Sequence, residues 1–281
     1  MNRVLPPQKR EPMFREASPP NLEAAAEDNA YALIETFGRL PRAELITTPA
    51  LVRCRVAGIE SAMFNSVGRN RFTLADADQV IEETLADYRA AGTKAVMWWV
   101  GGQTQPPEIG AKLEQHGFEK AYDSPAMAVD LHHMDETTTT PPNFRITTVT
   151  SETDVRVWAT TFATSFNQPT AVGDAWHDTT LRRGLDHAPW TLYLGWLDDV
   201  PVATGMLFYG AGIAGIYGIG TLPDARGKGI GKAITLRPLL DARAAGCHIG
   251  ALFASPSGYP IYQRIGFGHY GSLIRYRWEQ A

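Results

Sequence analysis

Residues 219–232 read Ile-Gly-Thr-Leu-Pro-Asp-Ala-Arg-Gly-Lys-Gly-Ile-Gly-Lys, and no other stretch limits the fold as tightly. An apolar strand ends there, the chain turns at Pro223, and a helix follows. Gly227, Gly229 and Gly231 alternate at the joint and bare the backbone where the helix starts. The N–H groups from Arg226 to Lys232 can therefore close on a phosphate with the helix dipole behind them. Arg226, Lys228 and Lys232 add positive charge, so the stretch predicts a pyrophosphate cradle. Spacing separates it from two better-known cradles. In the dinucleotide fingerprint Gly-x-Gly-x-x-Gly the third glycine comes one residue later, and the acidic residue nearest the required position here, Asp241, falls inside the predicted helix. A P-loop needs a glycine where Arg226 stands and a hydroxyl where Ala233 follows Lys232.

A second motif lies beyond the predicted helix 230–245. The apolar run Ile249-Gly-Ala-Leu-Phe-Ala254 leads into Ser255-Pro-Ser-Gly-Tyr-Pro-Ile-Tyr-Gln-Arg-Ile-Gly-Phe267. Leu-Pro-x-x-Arg-Gly-x-Gly-x-Gly followed by Tyr262, Gly266 and Phe267 resembles the acyl-coenzyme A signature of the GNAT superfamily of N-acyltransferases and the short tyrosine-bearing helix after it, over residues 144–281. The resemblance implies acetyl-CoA as acyl donor. It assigns Ile219, Gly220 and Thr221 to the coenzyme arm and the thioester oxygen, and Arg226, Gly227, Lys228, Gly229, Ile230, Gly231 and Lys232 to the pyrophosphate. Tyr262 becomes the group that protonates the leaving thiolate, since a phenol with pKa near 10 keeps its proton at neutral pH. Ser255 stands where many members of the family have an asparagine. No general base is visible: Ile213 to Thr221 holds no carboxylate and offers only Tyr217, leaving Asp174, His177, Asp178 and His187 as candidates in the segment that bounds the acceptor pocket in the family.

At 281 residues and 44% hydrophobic, the chain can bury the cores of two domains. Its net charge of −4, with no run of basic residues, excludes a generic nucleic-acid binder. Cys54 and Cys247 are far apart and have no partner at metal-ligand spacing, which predicts a reduced cytoplasmic protein with neither zinc nor disulfide. The proline-rich start lacks an apolar secretory core, and no apolar run is long enough to cross a membrane.

Along the chain, residues 1–20 read as a loose tail and 21–38 as an opening helix. Strand segments are predicted at 43–46, 51–56 and 62–67, a helix at 74–91, a buried strand at 95–100, a helix at 107–116 and a further strand segment to Leu131. Residues 134–143, Met-Asp-Glu-Thr-Thr-Thr-Thr-Pro-Pro-Asn, read as an exposed linker. The second half opens with a strand at 144–149 and a helix to Phe166, passes through an irregular stretch from Asn167 to His187, and continues as a three-stranded meander into the cradle.

The halves read as duplicates. Leu113 to Phe118 matches Tyr262 to Phe267, and Ala90-Ala-Gly92 matches Ala244-Ala-Gly246. In the first half Ala77 or Phe72 stands for Arg226, and Leu113 stands for Tyr262, so no cradle survives there. The expected class is α/β (α+β): two GNAT-like domains, 21–133 and 144–281, each a mixed, mostly antiparallel sheet flanked by helices. The expected activity is acetyl transfer from acetyl-CoA to a primary amine of a small molecule or peptide, with no metal, nucleic acid or membrane partner. A non-catalytic acyl-CoA-binding or sensing module is the alternative reading, and a nucleotide binder of another fold is a third.

Overall fold

The computed structural model describes residues 19–185 and 189–280. Most of the predicted tail, and His187, lie outside these residues. The first half comprises α1 (Pro19–Gly38), β1 (Ala43–Thr47), β2 (Val52–Val56), β3 (Ser66–Gly68), α2 (Ala77–Ala90), β4 (Ala95–Val100), α3 (Ile109–Gln115) and β5 (Glu119–Asp130). The second comprises β6 (Phe144–Thr148), α4 (Glu152–Ser165), α5 (Thr170–Arg183), β7 (Trp190–Leu197), β8 (Val200–Gly210), β9 (Ile213–Thr221), α6 (Ile230–Ala244), β10 (Ile249–Phe253), α7 (Tyr259–Ile265) and β11 (Gly268–Glu279).

The strands form one sheet in the order β1-β2-β3-β4-β11-β5-β10-β9-β8-β7-β6. Each half contains an antiparallel meander followed by a parallel crossover, β3 with β4 across α2 and β9 with β10 across α6. The halves then exchange their last strands. β11 lies antiparallel to β4, Ile274 opposite Val100, while β5 lies antiparallel to β10, Phe253 opposite Ala126. β5 and β11 pair with each other at the centre, joining the two sheets into one. Cutting the chain in the linker would strip β11 of both neighbours.

Helices α2 and α3 cover one face over Val96, Trp98 and Tyr276, and α6 and α7 cover the same face over Met127, Val129 and Leu252. On the opposite face α4 and α5 pack with the C-terminal part of α1 around Phe37, Trp158, Trp176 and Trp190. α1 crosses the sheet centre, its Ala25, Ala26 and Ala30 letting the helix approach Ala128, Ala251 and Leu273 closely. Trp98 and Trp99 point to opposite faces as strand neighbours must, Trp98 into the α2–α3 core and Trp99 toward α1.

Two local expectations need correction. The segment predicted as a strand over 62–67 is a 3-10 turn at Ala62–Phe64 and a strand only from Ser66, because Asn65 donates to the carbonyls of Ile59 and Ser61 and accepts from Val56 N–H, binding the backbone in a turn. The stretch expected to be irregular after Asn167 is mostly α5, which ends at Gly184 with φ 82°. Its buried positions are Gly173, Ala175, Trp176, Thr179 and Thr180, so small and hydroxylated residues stand where an apolar stripe would have signalled a helix.

Candidate active site

β9 pairs with β10 only at Ala214–Gly250 and Gly215–Ala251. Residues 216–221 run on beside β8 alone, with a bulge between Thr204 and Met206. At the bulge Gly218 has φ 57° and its carbonyl accepts from Thr204 Oγ1 at 2.8 Å, while Trp158 Nε1 donates to the opposing Gly205 carbonyl at 3.1 Å. A bulge sharpens the local twist, and here it carries β9 away from β10. Ile219, Gly220 and Thr221 thus stand beside a cleft. A Cβ on Gly220 would lie 2.0 Å from Ser165 Oγ, so α4 closes on β9 more tightly than any side chain allows.

Past Thr221 the chain makes a 3-10 turn at Pro223–Ala225 and enters α6 through Gly227 and Gly229, with φ 75° and 76°. Only glycine adopts this conformation without strain. Ala233 N–H is bonded to the Gly229 carbonyl at 3.1 Å, so Ile230, Gly231 and Lys232 carry the N–H groups that a helix start leaves without an intrahelical partner. The bare Cα of Gly231 faces Thr221 Oγ1 and Ile261 Cδ1, which brings α7 against the mouth of α6.

The three expected cations behave differently. Arg226 donates from Nε to the Thr221 carbonyl at 3.0 Å and from Nη2 to the Ser165 carbonyl at 3.2 Å, so its guanidinium braces the end of β9 against α4. Lys228 is exposed at the mouth. Lys232 Nζ meets Asp135 at 2.8 Å, which holds that carboxyl down to about 2. Asp135 belongs to the linker, which is exposed but lies along α6. Glu136 pairs with Arg243, Asp135 N–H reaches the Ile265 carbonyl, and a Cβ on Gly229 would lie 1.9 Å from the Thr139 carbonyl oxygen.

Tyr262 is buried with its ring against Gly258, where a Cβ would come within 2.8 Å of it, and beside Phe267 at 5.8 Å. Burial pushes its phenol up to about 12, so it keeps its proton throughout the neutral range. Ser255 Oγ accepts from Gly258 N–H and bonds Ser257, starting α7. Among the base candidates, Asp174 and His177 both bond Arg156, and Asp178 pairs with Arg182. Tyr217 donates to Asn29 Oδ1 at 2.6 Å, and burial raises its pKa strongly. Asn29 sits on α1, so the first half reaches into the second half's cleft. Nothing in the sequence pairs Asn29 with Tyr217, or Thr139 with Gly229. The glycine inside the Ile-Tyr-Gly-Ile-Gly strand was the one local signal for the bulge. A separate cavity of about 390 Å³ lies between β1, β2 and α2, lined by Glu44, Arg53, Arg55, Asp87 and Tyr88. It shares no residue with the cleft.

Residues 210–270, from the end of β8 to the start of β11, match the family model of the acetyltransferase (GNAT) domain. The matched stretch spans β9, α6, β10 and α7. Over 64 residues the chain is 33% identical to a mycothiol acetyltransferase of Actinosynnema mirum, a match covering 22% of each chain. The whole fold resembles a GCN5-related N-acetyltransferase from Kribbella flavida, with TM-score 0.71, 17% identity and 91% and 96% of the two chains covered. It also resembles a tandem GNAT protein from the clavulanic acid biosynthesis pathway, with TM-score 0.58, 11% identity and 93% and 94% covered. Among the described residues no helix is long and apolar enough to cross a membrane, and no cluster of His, Cys, Asp and Glu has the makings of a metal site.

Proposed function

We propose that the second half, residues 144–281, binds acetyl-CoA and transfers its acetyl group directly to the primary amine of a small molecule or peptide. The observation that carries this reading is the bulged β9 leaving β10 and passing through two left-handed glycines into α6. Bound coenzyme supplies the activated thioester. The backbone edge of Ile219, Gly220 and Thr221 that β10 leaves open receives the coenzyme arm and donates an N–H to the carbonyl oxygen that gains charge, a contribution of ~10²–10³ in turnover. Gly227 to Lys232 hold the pyrophosphate through backbone N–H groups, with Lys228 and Lys232 as cations and Arg226 keeping the strand end in place. Tyr262 holds a proton at its Oη for the departing sulfur. The first half, 21–133, keeps the fold without a cradle and contributes α1 to the acceptor side. The buried thiols of Cys54 and Cys247 suit a reducing, cytoplasmic setting.

One observation favours the alternative of coenzyme binding without turnover: Asp174, His177, Asp178 and Tyr217 are all engaged by other side chains. Calorimetry with acetyl-CoA, followed by free-thiol release with a panel of amines, tests both. Transfer predicts saturable binding and thiol release that Tyr262→Phe slows by about 10–100-fold with little change in coenzyme affinity. Binding with no thiol release for any amine selects the alternative, and absence of binding overturns both.

A further inference from the structure

The exchange of strands places Arg275 of β11 directly between Trp99 of β4 and Tyr122 of β5. Its guanidinium carbon lies 4.4 Å from the Tyr122 ring centroid and 5.3 Å from that of Trp99. Nη2 donates to Ser124 Oγ at 2.9 Å, and Nε is buried without a partner. Other half-buried arginines here have an acid: Arg69 has Asp28 and Glu35, Arg53 has Asp87, and Arg243 has Glu136. Arg275 has none among the described residues, and burial works against its charge. A half-buried guanidinium whose Nε has no partner is costly unless an anion arrives to take it.

Its position relates it to the cleft. Tyr122, Ser124 and Ala126 share the α1 face with Arg275, and Phe253 of β10 is opposite Ala126. Continuing that register brings Ser124 level with Ser255, just past the end of β10 on the side where β9 leaves it. Tyr122 is 45% exposed, so the approach from solvent is open.

We infer that Arg275, clamped by Trp99 and Tyr122 and steadied by Ser124, binds a carboxylate carried by the acceptor, whose amine then points into the β9–β10 cleft. The inference rests on that cleft being the acyl-transfer site. A planar carboxylate matches the guanidinium fork. A short peptide or an ω-amino acid carries such a carboxylate apart from its amine.

The test compares 6-aminohexanoate with hexylamine, and triglycine with triglycinamide, as acceptors for the full chain and for Arg275→Met and Arg275→Lys. Calorimetric titration with 6-aminohexanoate and separately with acetyl-CoA accompanies it. Expected is a preference for the carboxylate member of each pair of about tenfold or more in kcat/KM. Arg275→Met abolishes the preference through KM, and Arg275→Lys restores part of it. Acetyl-CoA affinity and hexylamine turnover stay unchanged in both variants. Equal use of carboxylate and neutral acceptors by the unaltered chain overturns the inference, as does a uniform loss for all acceptors in Arg275→Met, which marks Arg275 as a packing residue only. A chain that binds acetyl-CoA but shows no carboxylate preference loses this inference alone. A chain that fails to bind acetyl-CoA loses the proposed function, while Arg275-dependent heat with 6-aminohexanoate still decides the subsite. No heat with 6-aminohexanoate at millimolar concentration counts against it.

Discussion

The two parallel crossovers, β3-α2-β4 and β9-α6-β10, share a topology and end in opposite ways. In the first half the strands stay zipped beyond their last ladder pair. Arg71 bridges Gln105 in parallel, Gln105 N–H bonds the Asn70 carbonyl at 3.0 Å, and the Asn70 side chain joins Trp99 O at 2.9 Å to Trp98 Nε1 at 2.8 Å. Glu27 of α1 accepts from Gln103 N–H at 2.9 Å and lies flat on Gly101. Asp76 and Asp78 mark the start of α2, where an anion would be repelled. In the second half a bulge parts the strands, no side chain among the described residues bridges them, and the mouth of α6 carries glycines and lysines. The cleft is therefore a product of the bulge and of what was left out, and the crossover alone does not create it.

The contrast can be broken most severely at Gly229. Gly229→Glu forces a side chain into left-handed backbone, drives its Cβ onto the Thr139 carbonyl and brings a carboxylate to the helix mouth. Acetyl-CoA affinity should fall about 100-fold or more by calorimetry. Asp78→Asn in α2 should leave it within about twofold, because the proposed binding is confined to the second half. Two coenzymes bound per chain would dissolve the distinction between the halves.

Asn70→Ala probes the zipped side. It leaves Trp98 Nε1 and Trp99 O unpaired in the core, which should cost about 2–4 kcal/mol and lower Tm by roughly 5–10 °C, with coenzyme affinity nearly unchanged. A large loss of coenzyme affinity would show that the two crossovers are coupled.

The smallest effect is expected at the linker. Asp135→Asn releases Lys232, and acetyl-CoA binding should tighten about two- to fivefold at low ionic strength, less in high salt. Lys232 holds the Asp135 carboxyl down to about 2, below its ordinary value, so the ion pair is intact above the ordinary carboxylate range and is lost only as pH falls through about 2. The gain should hence be the same at pH 6 and pH 8. Weaker binding in Asp135→Asn would mean that the linker supports the cradle and does not compete for it.

Much of the local backbone around residues 219–232 was legible in the chain. Proline, glycine and lysine at fixed offsets describe a turn and a helix mouth by local sterics and charge, and both crossovers follow from apolar strands alternating with helices. Arg226 shows where such reading stops. Its charge and place counted it among the phosphate ligands, yet its guanidinium serves two carbonyls, one on a helix 61 residues away in sequence. α5 escaped because its buried residues are small or hydroxylated, and periodicity of apolar side chains had nothing to register. β5 was readable as a strand, but any strand edge offers the same row of donors and acceptors, so it did not name its neighbour.

By itself the sequence determined what backbone sterics and local charge can decide: left-handed glycines at a helix mouth and the run of strands and helices. Tertiary structure alone decided that the halves exchange strands, that Asn29 closes on Tyr217, that the linker occupies Lys232, and that Arg275 meets no acid among the described residues. Those outcomes depend on pairings between distant segments, and the free energy that selects them comes from burial and hydrogen bonding shared across the whole sheet, which no local pattern records.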